Sequence, residues 1–178
     1  MRNVSRPGLL ALIAALASLL VVSVASADKG GTNRPFQATL TGVGTFVVPA
    51  GCPPDCVDFR TNTAATGQAA HLGRVQVRLS HLPYDIANTL DGTMTLTAAN
   101  GDKLYGVYDY NGQDTIPITV TRGTGRFTDA SGTIFLTAEA IPQFKPMPPC
   151  DPATDFFGCL NPDVPWPWSG TMTGAISY

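Results

Sequence analysis

The sequence predicts an all-β fold, an eight-stranded antiparallel up-and-down β-barrel, from three observations. Short runs of alternating apolar and polar residues recur along residues 35–178, each long enough for a strand and too short for a helix face. Breaks rich in Gly and Asn separate them, and two of these breaks are Asn-Gly pairs. Helix formers are scarce: twelve of the thirteen acidic residues are Asp, Glu139 stands alone, and Thr, Gly and Val abound. Strands with one apolar face each call for a closed sheet, because closure removes exposed edges. A two-sheet β-sandwich is the alternative arrangement of the same strands.

Residues 1–27 read as an export signal that is cleaved. Arg2 and Arg6 make a basic start, Gly8 to Val22 is an uncharged apolar run, and Ala25-Ser26-Ala27 supplies the small residues before a cut at Asp28. The run is short for a spanning helix, so the expectation is a secreted or periplasmic protein with no membrane segment after cleavage. Residues 28–34 read as a polar, flexible lead-in, and 35–178 are long enough for a single domain with its own core. Without residues 1–27 the formal charge moves from −2 to 9 − 13 = −4. A mildly acidic chain without basic clusters argues against nucleic acid as a partner.

The first strand spans Pro35 to Val48, where Gly42 and Gly44 suggest a bend or bulge. A second, weaker strand runs from Thr61 to Leu72 and ends at Gly73. Arg74 to Ser80 alternates cleanly, with Val75, Val77 and Leu79 on one face. Thr93 to Ala98, Lys103 to Tyr110 and Asp114 to Thr121 follow, joined by Asn100-Gly101 and Asn111-Gly112 read as two-residue type I′ turns. Those turns set a register in which Met94, Leu96, Ala98, Tyr105, Val107, Ile116, Ile118 and Val120 share the core face, while Leu104, Gly106 and Tyr108 share the other. Thr133 to Ile141 and Trp168 to Tyr178 complete the set. In the last strand Met172, Gly174, Ile176 and Tyr178 lie together.

In an up-and-down barrel every second connection falls at the same rim. The long connections 49–60, 81–88 and 142–167 then share one end, and the turns near Gly73, Asn100-Gly101 and Gly123–Gly132 share the other. Four cysteines in an exported chain favour two disulfides, since the compartment is oxidising. They are Cys52, Cys56, Cys150 and Cys159, all on the loop-rich side; three pairings are open. Zinc is the competing reading of these cysteines, but their Cys-x3-Cys and Cys-x8-Cys spacing suits it poorly.

The segment Gly123-Thr124-Gly125-Arg126-Phe127-x-x-Ala130-x-Gly132 resembles the Gly-Thr-Gly, aromatic, small residue, Gly pattern of the allene oxide cyclase and dirigent protein superfamily. Together with His71-Leu72-Gly73-Arg74 and Thr97-Ala98-Ala99-Asn100-Gly101-Asp102, it also resembles a group of exported bacterial proteins without assigned function. The resemblance is strict over the ten-residue motif and loose over residues 61–141. It implies an eight-stranded antiparallel barrel in which Gly123, Gly125, Phe127, Ala130 and Gly132 link two late strands. No catalytic residue of that superfamily finds a match here, so none is carried over.

Candidate site residues are read from the register and the rim. Asp109 and Asp114 are expected side by side on the core-face parity at the loop-rich rim. They are readable as an acid/base pair, as a weak Ca²⁺ site, or as solvated flanks of a turn. Tyr105 is expected to point inward, beside Met94, Leu96 and Ile118, where a cavity for a small apolar ligand would lie unless side chains fill it. Tyr84, Trp166 and Trp168 are placed in or beside the rim loops, as a mouth lining or a cap on the core. His71 and His81 read as structural or surface residues, since no nucleophile setting supports a triad. Glu139 is expected in solvent. The functional expectation is a binding protein for a small apolar molecule, without metal or cofactor and with no set oligomeric state. An isomerase or cyclase using Asp109, Asp114 and Tyr105, and a self-associating structural surface component, are the alternatives.

Overall fold

The computed structural model describes residues 31–47, 60–82, 91–110, 113–140, 151, 159, 161 and 164–178. The strands are β1 (Asn33–Val47), β2 (Arg60–Ala69), β3 (Gly73–His81), β4 (Gly92–Ala98), β5 (Lys103–Tyr108), β6 (Thr115–Gly123), β7 (Ser131–Ala140) and β8 (Trp166–Ser177). Each pairs antiparallel with its sequence neighbour and β8 pairs back onto β1, so the sheet closes into an eight-stranded barrel and the sandwich is excluded. The predicted export signal and residues 28–30 of the lead-in lie outside the described residues. The last two residues of that lead-in, Asn33 and Arg34, belong to β1, where they meet Ser177 and Ile176 of β8.

Alternation builds the interior. Phe36, Ala38 and Leu40 of β1, Val75, Val77 and Leu79 of β3, Ile116, Ile118 and Val120 of β6, and Ile134 and Leu136 of β7 are all buried, and their sequence neighbours face out. No bulge occurs at Gly42 or Gly44, because β1 holds continuous register through them with β2 and β8. Gly44 is there for room: a Cβ at that position would strike the indole of Trp166.

The register of β5 departs from expectation by one residue. Leu96 pairs with Leu104 and Thr95 with Tyr105, so the connection is the three-residue loop Ala99-Asn100-Gly101, not a two-residue turn. Ala98 and Asp102 close it, with Ala98 N donating to Asp102 O at 2.8 Å and Gly101 N donating to Ala98 O at 2.9 Å. Gly101 has φ +89°, which is the left-handed third residue that such loops require. A slip of one residue turns every side chain of a strand to the opposite face. Leu104, Gly106 and Tyr108 therefore point inward, and Tyr105 and Val107 point outward.

On its other side β5 pairs Tyr108 with Ile118, and a bulge at Tyr105/Gly106 absorbs an extra residue of β6. A two-residue turn would have placed Val107 against Ile116. The two departures are both odd in number, so they cancel, and β6 keeps the predicted face.

At the tight end the motif residues form a short 3-10 turn, Gly125–Phe127. Phe127 is fully buried and plugs the barrel floor, its ring edge against Tyr178 at 4.8 Å. This turn interlocks with the β4–β5 loop. Asp102 Oδ2 accepts from Arg126 N at 3.3 Å and from Asn100 Nδ2 at 2.7 Å, while Lys103 N donates to Thr124 Oγ1 at 2.9 Å. The Asn-Gly-Asp and Gly-Thr-Gly-Arg segments are thus one structural unit.

Candidate functional site

Connections 48–59, 82–91, 109–114 and 141–165 all leave from the same rim, opposite Phe127. Inward alternation carried to the last residue of each strand brings a particular set of side chains to that rim. On one wall Phe46 is the last inward-facing residue of β1 and Trp166 the first residue of β8, and their rings lie 4.3 Å apart. On the other, His81 ends β3 and Tyr108 ends β5, with Tyr110 just beyond. The His81 ring lies 4.5 Å from that of Tyr110 and meets Tyr108 edge-on at 5.8 Å.

His81 Nδ1 and the Tyr108 hydroxyl are 3.0 Å apart, within hydrogen-bond range. Behind them stands an ion pair: Arg60, the first residue of β2, faces Asp91 at 3.6 Å and also donates to Asp91 O at 3.1 Å and to Ser80 Oγ at 3.2 Å. Asp91 Oδ2 accepts from Leu82 N at 2.8 Å, and Oδ1 is buried with no hydrogen-bond partner among the described residues. Burial pushes the His81 imidazole down to about 4, with Asp91 pulling it up and Arg60 adding to the fall. Burial also raises the Tyr108 phenol well above its ordinary value, helped by Asp91 and Tyr110 and opposed by Arg60. At neutral pH both groups are uncharged, and among the described residues the Arg60–Asp91 pair supplies the charges that act on them.

The predicted site residues fare unevenly against this geometry. Trp166 is the first residue of β8, paired with Gly44 of β1, not a loop residue, and is buried against Phe46. Trp168 is likewise buried in β8. Tyr105 lies on the outer wall, where the Arg122 guanidinium sits 4.6 Å from its ring centroid, so it lines no interior cavity. Met94, Leu96 and Ile118 are 0–1% exposed and belong to a packed core. Asp109 is half-buried and Asp114 exposed; the β5–β6 ladder ends at Tyr108 and Ile118, so the two carboxylates are not ladder partners. Tyr84, Cys52, Cys56 and Cys150 lie outside the described residues. Cys159 is buried and is not a free thiol. His71 is exposed in the β2–β3 turn with φ +63°, and Glu139 is exposed on β7, both as expected.

His81, Tyr108, Tyr110, Arg60 and Asp91 are the site residues that the sequence reading passed over. For His81 a signal existed, since Val75, Val77 and Leu79 extended by one step put position 81 inward at the rim. Among the described residues no group of three His, Cys, Asp or Glu side chains could hold a metal ion. A separate open groove of about 360 Å³ crosses the outer wall of β1 to β4, between Val43, Thr45, Asn62, Arg78, Ser80 and Thr95. It holds hydroxyl and amide groups beside the Arg78 guanidinium, and among the described residues no carboxylate or imidazole lines it.

No family model matches the chain, and no curated protein is similar to it. Among solved structures it is similar to one described as the enduracididine biosynthesis enzyme MppR with HEPES buffer bound. That likeness stands at 10% identity over 81% of this chain and 85% of that one, with a TM-score of 0.21. At that score the likeness supports no conclusion about fold or activity.

Proposed function

We propose that the protein is an exported β-barrel that binds a small, largely apolar molecule at its loop-rich mouth. The observation that carries the reading is the ring of aromatic side chains that alternation delivers to one rim: Phe46 and Trp166 on one wall, His81, Tyr108 and Tyr110 on the other. Barrels of eight strands are wide enough to hold side chains or one small ligand, and here the deeper layers are filled, which leaves the mouth. Apolar walls with a few fixed polar groups are the usual make-up of a small-molecule site. The Cys159 side chain, buried and not a free thiol, supports the exported setting and disulfides among the rim cysteines. The Gly-Thr-Gly motif supports kinship with barrels of the allene oxide cyclase and dirigent type.

The chain has two tryptophans, Trp166 and Trp168, and both sit at the start of β8 facing inward. Intrinsic emission therefore reports the mouth. Titration with a neutral apolar fluorophore such as N-phenyl-1-naphthylamine should give saturable energy transfer from these indoles, displaced by unlabelled apolar compounds. A linear, non-saturable response up to the probe's solubility limit would sink the reading. An isomerase or cyclase is the second reading. It no longer has Asp109, Asp114 and Tyr105 in one place, and the observation favouring it is the hydrogen-bonded His81–Tyr108 pair at the same mouth.

A further inference from the structure

Resting on the mouth as the binding site, we infer that its ligand carries a neutral hydrogen-bond-accepting oxygen, of ketone, ester or aryl-ether type, on a flat apolar body. His81 Nε2–H is the donor that meets this oxygen.

Tyr108 is 1% exposed, and its hydroxyl has one described partner, His81 Nδ1 at 3.0 Å. A buried O–H left without an acceptor costs about 1–3 kcal/mol. If Nδ1 carried the ring proton, it would donate to the phenol oxygen and leave the phenol hydrogen with no acceptor among the described residues. Tyr108 therefore donates and Nδ1 accepts. The imidazole is neutral at pH 7, because burial lowers its pKa to about 4, and a neutral imidazole bears one ring proton. That proton is on Nε2.

Nε2 finds no hydrogen-bond partner among the described residues, and His81 is half-buried, so its N–H is open to what fills the mouth. The Tyr110 ring, 4.5 Å from the imidazole, and the Phe46–Trp166 pair across the rim supply flat apolar walls. The Asp91 carboxylate acts electrostatically on His81 and disfavours a ligand carboxylate there, although Arg60 offsets part of its charge. A neutral oxygen suits this field better than an anion.

Two measurements test the inference. In the ligand-free protein, long-range ¹⁵N–¹H correlation of the His81 ring at pH 7 should show a protonated Nε2 and a bare Nδ1; a protonated Nδ1 overturns the assignment without any ligand. Binding of 2-acetylnaphthalene and 2-ethylnaphthalene is then compared in the native protein and in His81→Phe. The ketone-to-hydrocarbon affinity ratio should fall by about three- to tenfold in the variant, the range one neutral hydrogen bond supports. An unchanged ratio with both compounds bound overturns the acceptor-oxygen inference alone. Failure of both compounds to bind the native protein removes the mouth as a site and the inference with it. The Nε2 proton is read independently of either result.

Discussion

Gly44 shows how one missing Cβ shapes the mouth, since the Trp166 indole occupies the volume that any side chain there would need. Gly44→Ala should force the ring out of place and lower stability by about 1–3 kcal/mol, the usual cost of overpacking. Urea denaturation combined with the tryptophan emission maximum checks both effects; an unchanged midpoint and maximum would refute the packing account. His81 makes a second residue-level prediction. Its folded pKa of about 4 lies below the ordinary 6.5, so between these values the unfolded chain binds more protons than the folded one. Stability should therefore be full above about pH 6.5 and decline as pH falls toward 4, with the His81 share amounting to about 3 kcal/mol at most. Asp91, Arg60, Tyr108 and Tyr110 face the ring and set that share. In His81→Gln this component disappears, so the gap in unfolding free energy between pH 7 and pH 4 should shrink relative to the native protein. An equal gap in both proteins would show that His81 is protonated in the fold.

Strand β5 is where the register matters most. The three-residue loop places Tyr108 in the core and Tyr105 on the outer wall. Tyr108→Ala should cost about 3–5 kcal/mol, whereas Tyr105→Ala should cost under about 1 kcal/mol, as surface changes do. The opposite ranking in chemical denaturation would restore the two-residue turn. The physical reason this register was hard to read lies in the dipeptide itself. Asn-Gly serves a two-residue type I′ turn, and its Gly equally serves as the left-handed third residue of a three-residue loop; only the hydrogen bonds of Ala98 distinguish them. Alternation within single strands was legible, as in Val75, Val77 and Leu79, because burial of one face imposes period two locally. Relative register was not, since it depends on turn length and on a bulge at Tyr105/Gly106 that no local pattern announces. The site inherited this difficulty. Moving β5 by one residue exchanged Tyr105 for Tyr108 and thereby hid the partner of His81. Gly42 and Gly44 misled for a related reason, because a glycine that admits a bend and one that admits a neighbouring ring look alike in sequence.

Across the whole barrel the two ends divide the work. The tight end is a rigid closure in which Phe127 fills the floor and Asp102 fastens two turns together, through the Arg126 N–H and an ion pair at 3.8 Å. The loop-rich end carries the polar pair and the aromatic walls. Strand β3 joins them, and its nine residues from Gly73 to His81 span roughly 27 Å of extended chain. Even with strands tilted in a barrel, this places Phe127 and His81 far beyond the roughly 7–10 Å within which substitutions usually couple. Phe127→Ala should cost about 3–5 kcal/mol of stability by leaving a cavity in the floor, and its effect should add to that of His81→Gln within about 0.5 kcal/mol. The same Phe127→Ala protein, studied below its unfolding transition, should retain saturable binding of the apolar fluorophore, because the mouth does not depend on the floor's packing. A coupling energy above about 1 kcal/mol in the double-mutant cycle would mean that the barrel transmits strain from end to end. In that case the floor would tune the mouth, and the motif at Gly123–Gly132 would have to be counted among the determinants of binding.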